Sequence, residues 1–533
     1  MTVELEGYEL QAAIAAAAAA SGRPVLDAGR GQPNWLATAP RDAAFLLGRF
    51  AVAESISAST HPDWGMTPSV SGIAARLTEY LRAEESPGAS FLAGALDHGV
   101  VTFGFEPDAW VHELVRATLG DGYPSPNRIL AHIERVLERY LVEVTGAEDA
   151  PPGTYQVFGT EGGAAAMAYV FRSLRENGVI RPGDKVAIAT PVFTPYLQVP
   201  VLEGFGLDVV AIHAAHNVSA RFTDGVLDGL LDPAIKVFFL VNPGNPDTRA
   251  VRPERLRELR DLVTEHRPDL VIVADTVYAT FVEGFRGILA DLPHNVLCVH
   301  SFSKNFGATG SRLGFIALHR DNALDRILAG QDDARRRAQA ERYSSLTSDA
   351  SSLPFMARMV ADSREVALHN ITGLATPDQA QMALFALAYL MPTGQAYVAA
   401  TRAELAARDR ALRVPLRVPP PGGQDSMYYA LVDLLQVTEV LCGATGVKHL
   451  MATAKPADVP LRLAREHGVI MLPGQLYSAH SWDARVSLAS LTADELGQVG
   501  AALAAVLIDL AGQGQTSNVG ADSGHGRAQL EDA

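Results

Sequence analysis

The sequence predicts an α/β protein with a large domain on a mostly parallel seven-stranded sheet covered by helices, and a smaller α/β domain from the N- and C-terminal segments. Three observations carry this. Seven short apolar runs alternate with helical stretches: Tyr155–Phe158, Val186–Ala189, Val209–Ile212, Val237–Val241, Leu270–Ala274, Val296–Val299 and Gly314–Leu318. Most lack polar alternation, so they read as strands buried on both faces, the habit of parallel sheets with helices above and below. The chain has 533 residues, 48% hydrophobic and 20% charged, ample for more than one domain. Finally, the polar residues that could bind a ligand fall at the ends of the runs, as in open α/β sheets.

The elements follow in order. Residues 1–100 are expected to form an N-terminal arm and part of the small domain, 101–345 the large domain, and 346–511 the C-terminal small domain. Residues 512–533, rich in Gly, Ser, Gln, Asp and His, are expected to be a disordered tail. The run Ala12 to Ala20 follows Glu4, Glu6 and Glu9, the wrong charge for a signal sequence, and reads as an alanine-rich helix. Asp27 to Trp35 is a loop in which Arg30 stands between two glycines. Gly120-Asp121-Gly122-Tyr123-Pro124 is a turn-rich loop that displays a tyrosine. Thr376-Pro377 opens a helix, with proline placed where helices tolerate it. Residues 395–505 alternate helices with short strands.

Composition excludes some classes. A formal charge of -16 argues against a nucleic-acid partner. No stretch reads as apolar enough for long enough to span a bilayer, and nothing suggests a metal site. Cys298 and Cys442 are the only cysteines, and Cys298 lies in an apolar run, so a buried thiol in a reducing compartment is expected. Cytoplasm is the default location.

The chemistry centres on Ser301 to Gly314. The sequence has five lysines, and Lys304 is the one flanked by hydroxyls and glycines, with Arg312 eight residues on. A lysine there can form a Schiff base with an aldehyde, and the hydroxyls and arginine can hold a phosphate on the same ligand. That pair of abilities suggests pyridoxal 5'-phosphate. Thr160-Glu161-Gly162-Gly163 opens a helix after the first run, where backbone N–H groups suit a phosphate. Phe193 follows the second run and could stack on a flat ring; alone it would be a core phenylalanine. Asn242-Pro243-Gly244-Asn245-Pro246 follows the fourth run. Asp275 ends the fifth, at a cost unless a cation such as a protonated ring nitrogen pairs with it. Tyr278 lies three residues on, within reach of a phenolic oxygen. Arg485 sits on a short strand near the C-terminus and could bind a carboxylate bidentately; alone it would be a surface ion pair.

Asn-Pro, Asp-x-x-Tyr, Ser-x-Ser-Lys-x-x-Gly-x-x-Gly-x-Arg and Arg-x-Ser together resemble the aspartate aminotransferase superfamily, fold type I of the pyridoxal phosphate enzymes. Gly-Arg-Gly-x-Pro-Asn-Trp, Gly-Asp-x-Tyr-Pro, Thr-Glu-Gly-Gly and the long chain resemble, more narrowly, the aspartate 4-decarboxylases, also called bifunctional aspartate aminotransferase and aspartate β-decarboxylase. The resemblance implies conversion of L-aspartate to L-alanine and CO2, transamination with 2-oxo acids as a side activity, and a homo-oligomer from dimer to dodecamer. It implies that Lys304 bonds the cofactor and moves protons, Asp275 pairs with the ring nitrogen, and Tyr278 and Asn245 bind the ring oxygen. Phe193 would stack on the ring. Thr160, Glu161 (through its backbone N–H), Gly162, Ser301, Ser303 and Arg312 would surround the phosphate, joined by Tyr123 from a neighbouring subunit. Arg485 would take the α-carboxylate. For the β-carboxylate, Arg30 stands first, with Arg364 and Thr372 behind it. Asp247-Thr248 departs from the Thr-Gly usual in aminotransferases. Two other readings stay open: an ordinary aminotransferase, and a transcription regulator that borrows the fold, against which stands an acidic N-terminal stretch without a basic recognition helix.

Overall fold

A computed structural model describes residues 7–202, 204–215, 221–364, 373–420 and 422–512. The tail expected at 512–533, apart from Gly512, and the candidate Thr372 lie outside the described residues.

Strand β1 (Leu26–Asp27) belongs to the N-terminal segment. The apolar runs become β2 (Tyr155–Thr160), β3 (Lys185–Thr190), β4 (Asp208–His213), β5 (Ile235–Val241), β6 (Val271–Asp275), β7 (Val296–Ser301) and β8 (Gly314–His319). They form one sheet in the order β2-β8-β7-β6-β5-β3-β4. Strands β4, β3, β5, β6 and β7 run parallel, while β8 is antiparallel to both its neighbours. Successive strand residues point to opposite faces, and both faces are buried in every strand of this sheet except the edge strand β4, most of whose residues are exposed or half-buried, contrary to expectation. In β5, Phe238 and Leu240 join one apolar core, while Val237, Phe239 and Val241 join another across the sheet. Each large aliphatic or aromatic side chain so buried contributes about 1.5–3 kcal/mol of transfer free energy. Cys298 lies in β7, reduced and buried.

The second unit holds β9 (Tyr429–Asp433), β10 (Val469–Ile470), β11 (Leu472–Pro473) and β12 (Asp483–Ser487). The order β11-β12-β9 is antiparallel, and β10 pairs in parallel with β1. This brings the N-terminal segment back onto the C-terminal domain. The packing corrects the expected boundaries at both ends. The helices Thr38–Ser57, Ile73–Arg82, Pro87–Phe103 and Thr376–Leu390 bury their apolar faces in one of the large-sheet cores, not in the small domain.

A second expectation is also corrected. The helix Ala493–Gly512 is long and apolar enough to cross a bilayer by length and composition. Here Leu496, Val499, Leu503, Val506 and Leu507 on it are buried in the core of the small domain.

Candidate active site

The antiparallel turn from β7 to β8 creates the centre of the site. The parallel strands end along one edge of the sheet, and residues 302–313 fold back over that edge to start β8 in the opposite direction. Backbone and hydroxyl hydrogen bonds fix the turn: the Ala308 N–H and the Thr309 Oγ1 each donate to the Ser303 carbonyl, both at 3.1 Å. Lys304 rides on this turn and faces one continuous cavity of about 1740 Å³.

That cavity brings together Phe193, Asn245, Asp275, Tyr278, Ser301, Ser303, Lys304, Arg312 and Arg485. Asp275 ends β6 inside it. Tyr196 donates its hydroxyl to Asp275 Oδ2 at 3.0 Å, and the Val277 N–H reaches Oδ1 at 3.0 Å. Burial pushes the Asp275 carboxyl up to about 6, against those two hydrogen bonds and the Lys304 charge. A buried acid held this high is short of a cation. Asn245 Nδ2 donates to the Tyr278 hydroxyl at 3.2 Å, so the two groups converge on one point.

The phosphate side is also built. Ser301 Oγ and Ser303 Oγ are 3.0 Å apart and buried. Gly162 has φ 87°, and a Cβ there would sit 2.8 Å from Arg312 Nη2, so only glycine lets the guanidinium lie against the start of helix Gly163–Glu176. Arg312 donates to the Thr309 carbonyl at 3.2 Å and the Glu161 carbonyl at 3.4 Å. Thr160 is fully buried at the end of β2. Hydroxyls, a helix start and an arginine fit a phosphate. An acid short of a cation, paired ring-oxygen ligands and a lysine fit the rest of pyridoxal phosphate.

Arg485 sits on β12, buried, with its guanidinium 4.3 Å from the Tyr429 ring centroid and 4.7 Å from that of Tyr477. Its polar partners are the Gly29 carbonyl at 2.6 Å and Asn245 Oδ1 at 3.3 Å, and its Nε has none. A buried guanidinium held only by neutral oxygens is suited to an incoming carboxylate.

Some sequence-predicted residues are not brought in. The Arg30 side chain is 72% exposed and pairs with Asp27 at 2.9 Å, pointing away from the cavity. The reason is local: the backbone of Gly29 and Gly31 faces inward, which turns the intervening side chain out. Arg364 pairs with Glu161, whose other oxygen accepts from Tyr169 at 2.9 Å. Neither Arg364 nor the Glu161 carboxylate lines the cavity. Tyr123 is 67% exposed and does not reach the cavity of its own chain. The Asp247-Thr248 departure has a structural counterpart. Asp247 is buried 3.2 Å from the buried Arg221, and Thr248 holds φ 58°, where glycine would be at ease.

The structure also supplies residues that sequence reasoning missed. Gly31 O accepts from Lys304 Nζ at 2.8 Å and from the Tyr428 hydroxyl at 3.0 Å. The Tyr429 hydroxyl lies 3.2 Å from that of Tyr278. Tyr196 stands three residues after Phe193, a spacing visible in the sequence; nothing in the sequence around Tyr428 and Tyr429 sets them apart from core aromatics, and a carbonyl leaves no trace in a sequence.

Comparison with known proteins gives the same picture. Residues 148–503 match the family model for aminotransferase class I and II. A Pseudomonas sp. protein, "Bifunctional aspartate aminotransferase and L-aspartate beta-decarboxylase", is 40% identical over 494 residues, 92% of this chain and 93% of that one. YugH of Bacillus subtilis, a putative aminotransferase, is 28% identical over 45% of this chain and 63% of its own. Among solved structures, the aspartate aminotransferase of Rhizobium meliloti superposes with a TM-score of 0.58 at 17% identity, covering 95% of this chain and 97% of that one.

Proposed function

The chain belongs to the class I and II aminotransferases, a pyridoxal phosphate-dependent family, and we propose that it is an aspartate 4-decarboxylase: it converts L-aspartate to L-alanine and CO2, with transamination as a side activity. One observation carries the choice of reaction. The 40% identity to the bifunctional Pseudomonas protein runs through 92% of this chain and 93% of that one.

The bound cofactor supplies an electron sink conjugated with the nitrogen of the substrate. The residues of this chain do the rest. Asp275 holds the proton on the ring nitrogen, and the cation so formed relieves the cost of its own burial. Tyr278 and Asn245 hold the ring oxygen, and Phe193 covers one ring face. Thr160, Gly162, Ser301, Ser303 and Arg312 anchor the phosphate, with the Glu161 backbone beside them. Lys304 bonds the cofactor at rest and, once released, carries the proton at Cα. Arg485 takes the α-carboxylate and thereby fixes which substrate bond stands over the ring. The Gly29–Gly31 backbone spans from Arg485 to Lys304 and keeps water off both. A tight ion pair on the β-carboxylate would lower the ground state more than the transition state, in which that charge departs. The outward Arg30 accords with this.

In the same reading the enzyme is at least a dimer. Tyr123 points out of its own chain, and Phe45, Ile56, Trp64 and Val101 leave apolar surface exposed around the N-terminal helices. A partner covering that face would receive Tyr123 at its phosphate. A cytoplasmic location belongs to the same proposal.

The test is product analysis. L-Aspartate labelled at C4 should give labelled CO2 and unlabelled alanine without an added oxo acid. Oxaloacetate formed only when an oxo acid is supplied, with no C4-derived CO2, would make the protein an aminotransferase.

A further inference from the structure

We propose that Tyr429 is a further catalytic residue: the acid that protonates the carbon from which CO2 departs. The inference rests on the decarboxylase reading. That reaction consumes one proton per turnover, since monoanionic aspartate plus H⁺ gives neutral alanine plus CO2. The bond from Cβ to its carboxylate breaks, and the electron pair stays with Cβ in conjugation with the bound cofactor. A C–H bond then forms as the phenol gives up its O–H proton, and water reprotonates the phenolate before the next turnover. A side chain that lines the cavity beside the reacting atoms can deliver that proton.

The groups facing the reacting centre differ in what already engages them. Asp275 is engaged by Tyr196, by the Val277 N–H and by the ring nitrogen. The Tyr278 hydroxyl accepts from Asn245 and serves the ring oxygen. Lys304 serves Cα, and an arginine does not give up its proton. Among the described residues the Tyr429 hydroxyl has one hydrogen-bond partner, the Tyr278 hydroxyl at 3.2 Å.

Its position suits the task. Strands β9 and β12 pair with Tyr429 opposite Ser487, so Arg485, two residues before Ser487, is a diagonal neighbour on the same face. The guanidinium that would hold the α-carboxylate lies 4.3 Å from the Tyr429 ring centroid. A Cβ on Gly31 would sit 2.5 Å from the Tyr429 hydroxyl and 3.3 Å from Lys304 Nζ, so both atoms border one point beside the reacting centre. Burial resists ionisation of Tyr429, but the Lys304 ammonium, the Arg485 guanidinium and the hydrogen bond to Tyr278 outweigh it and hold this phenol below the usual tyrosine range. Tyr278 and Tyr428, packed against it, are pushed the other way, mainly by burial. In the cofactor-free protein the phenol between these two cations is the strongest acid of the three.

Tyr429→Phe keeps the ring on Arg485 and removes the hydroxyl. Loss of a general acid predicts a fall of ~100-fold or more in alanine formation from aspartate. Oxaloacetate formation with an added oxo acid, which needs no proton at Cβ, should fall less than about fivefold, and the visible absorbance of bound cofactor should be unchanged. In cofactor-free protein, ultraviolet titration should show one tyrosine ionising ahead of the others in wild type and none in Tyr429→Phe. In wild type, alanine formation should also decline with rising pH as the Tyr429 phenol of the loaded enzyme ionises, while transamination does not. Equal losses in both reactions would mean that the hydroxyl only positions Tyr278, and unchanged alanine formation would mean that it plays no part; either overturns the proposal. Wild type that releases no CO2 from C4 removes the decarboxylase reading itself, a different and separately visible failure.

Discussion

Asp275 carries an electrostatic cost of burial that a ring cation beside it would relieve. Burial lifts its carboxyl from 3.8 to about 6 in the protein alone. The folded state therefore binds this proton more tightly than the unfolded chain. Below about pH 4 both states are protonated and the difference vanishes; as pH rises from 4 to 6 the cofactor-free protein loses stability, and above 6 the whole penalty of about 3 kcal/mol stands. Asp275→Asn should thus raise the melting temperature of cofactor-free protein at pH 8, with the gain shrinking toward pH 4. Equal melting temperatures at pH 8 would show that the carboxylate is already compensated without a ring cation. At this scale the sequence was informative where a polar residue ends an apolar strand, as at Asp275, or where a lysine stands among small hydroxyl residues, as at Lys304. It was silent on Tyr429, because an aromatic in a buried strand reads as core whatever its hydroxyl touches.

Among elements, the loop around Gly31 does more than its length suggests. Its carbonyl groups meet two cations of the site, Lys304 and Arg485. The Gly-Arg-Gly pattern pointed to this loop, but the wrong part of it was expected to act: the arginine faces out and the backbone faces in. Side-chain chemistry can be read from a sequence, whereas the direction a loop turns depends on what anchors it, here the pairing of β1 with β10. A Cβ at Gly31 would meet the Tyr429 hydroxyl at 2.5 Å, so the loop would have to retreat from both cations. Gly31→Ala should lower kcat/KM for aspartate by ten- to a hundredfold, about 1.4–2.8 kcal/mol, with little change in melting temperature. Wild-type kcat/KM would place the loop outside the substrate path. The helix Ala493–Gly512 teaches a related lesson. It packs against several helices at once, so its apolar surface is too wide for a one-sided amphipathic pattern, and composition alone does not separate it from a membrane span.

At the scale of the molecule, the two domains are joined through the site itself. The Ala250 N–H donates to the Gln424 carbonyl at 2.9 Å and the Ser426 N–H to Thr248 at 3.0 Å, so the segment after Asn245 is tied to the one before Tyr428 and Tyr429. The seven strands of the large sheet were legible because each is a continuous apolar run. The assignment of helices to domains was not, because periodicity shows that a helix has a buried face but not which core receives it. The same limit applies to Tyr123, which is exposed on its own chain. If a partner supplies Tyr123, each site draws Lys304 from one chain and Tyr123 from the other. Lys304→Ala alone should then be inactive, and Tyr123→Ala alone should lose about tenfold or more through a weakened phosphate site. Mixed and allowed to exchange subunits, the two variants should recover roughly a quarter of wild-type activity, because half of randomly re-formed dimers are mixed and each mixed dimer rebuilds one complete site. The measurement is alanine formation before and after exchange, against each variant carried alone through the same treatment. Activity that stays at the level of the Tyr123→Ala protein would mean that Tyr123 does not complete a partner's site.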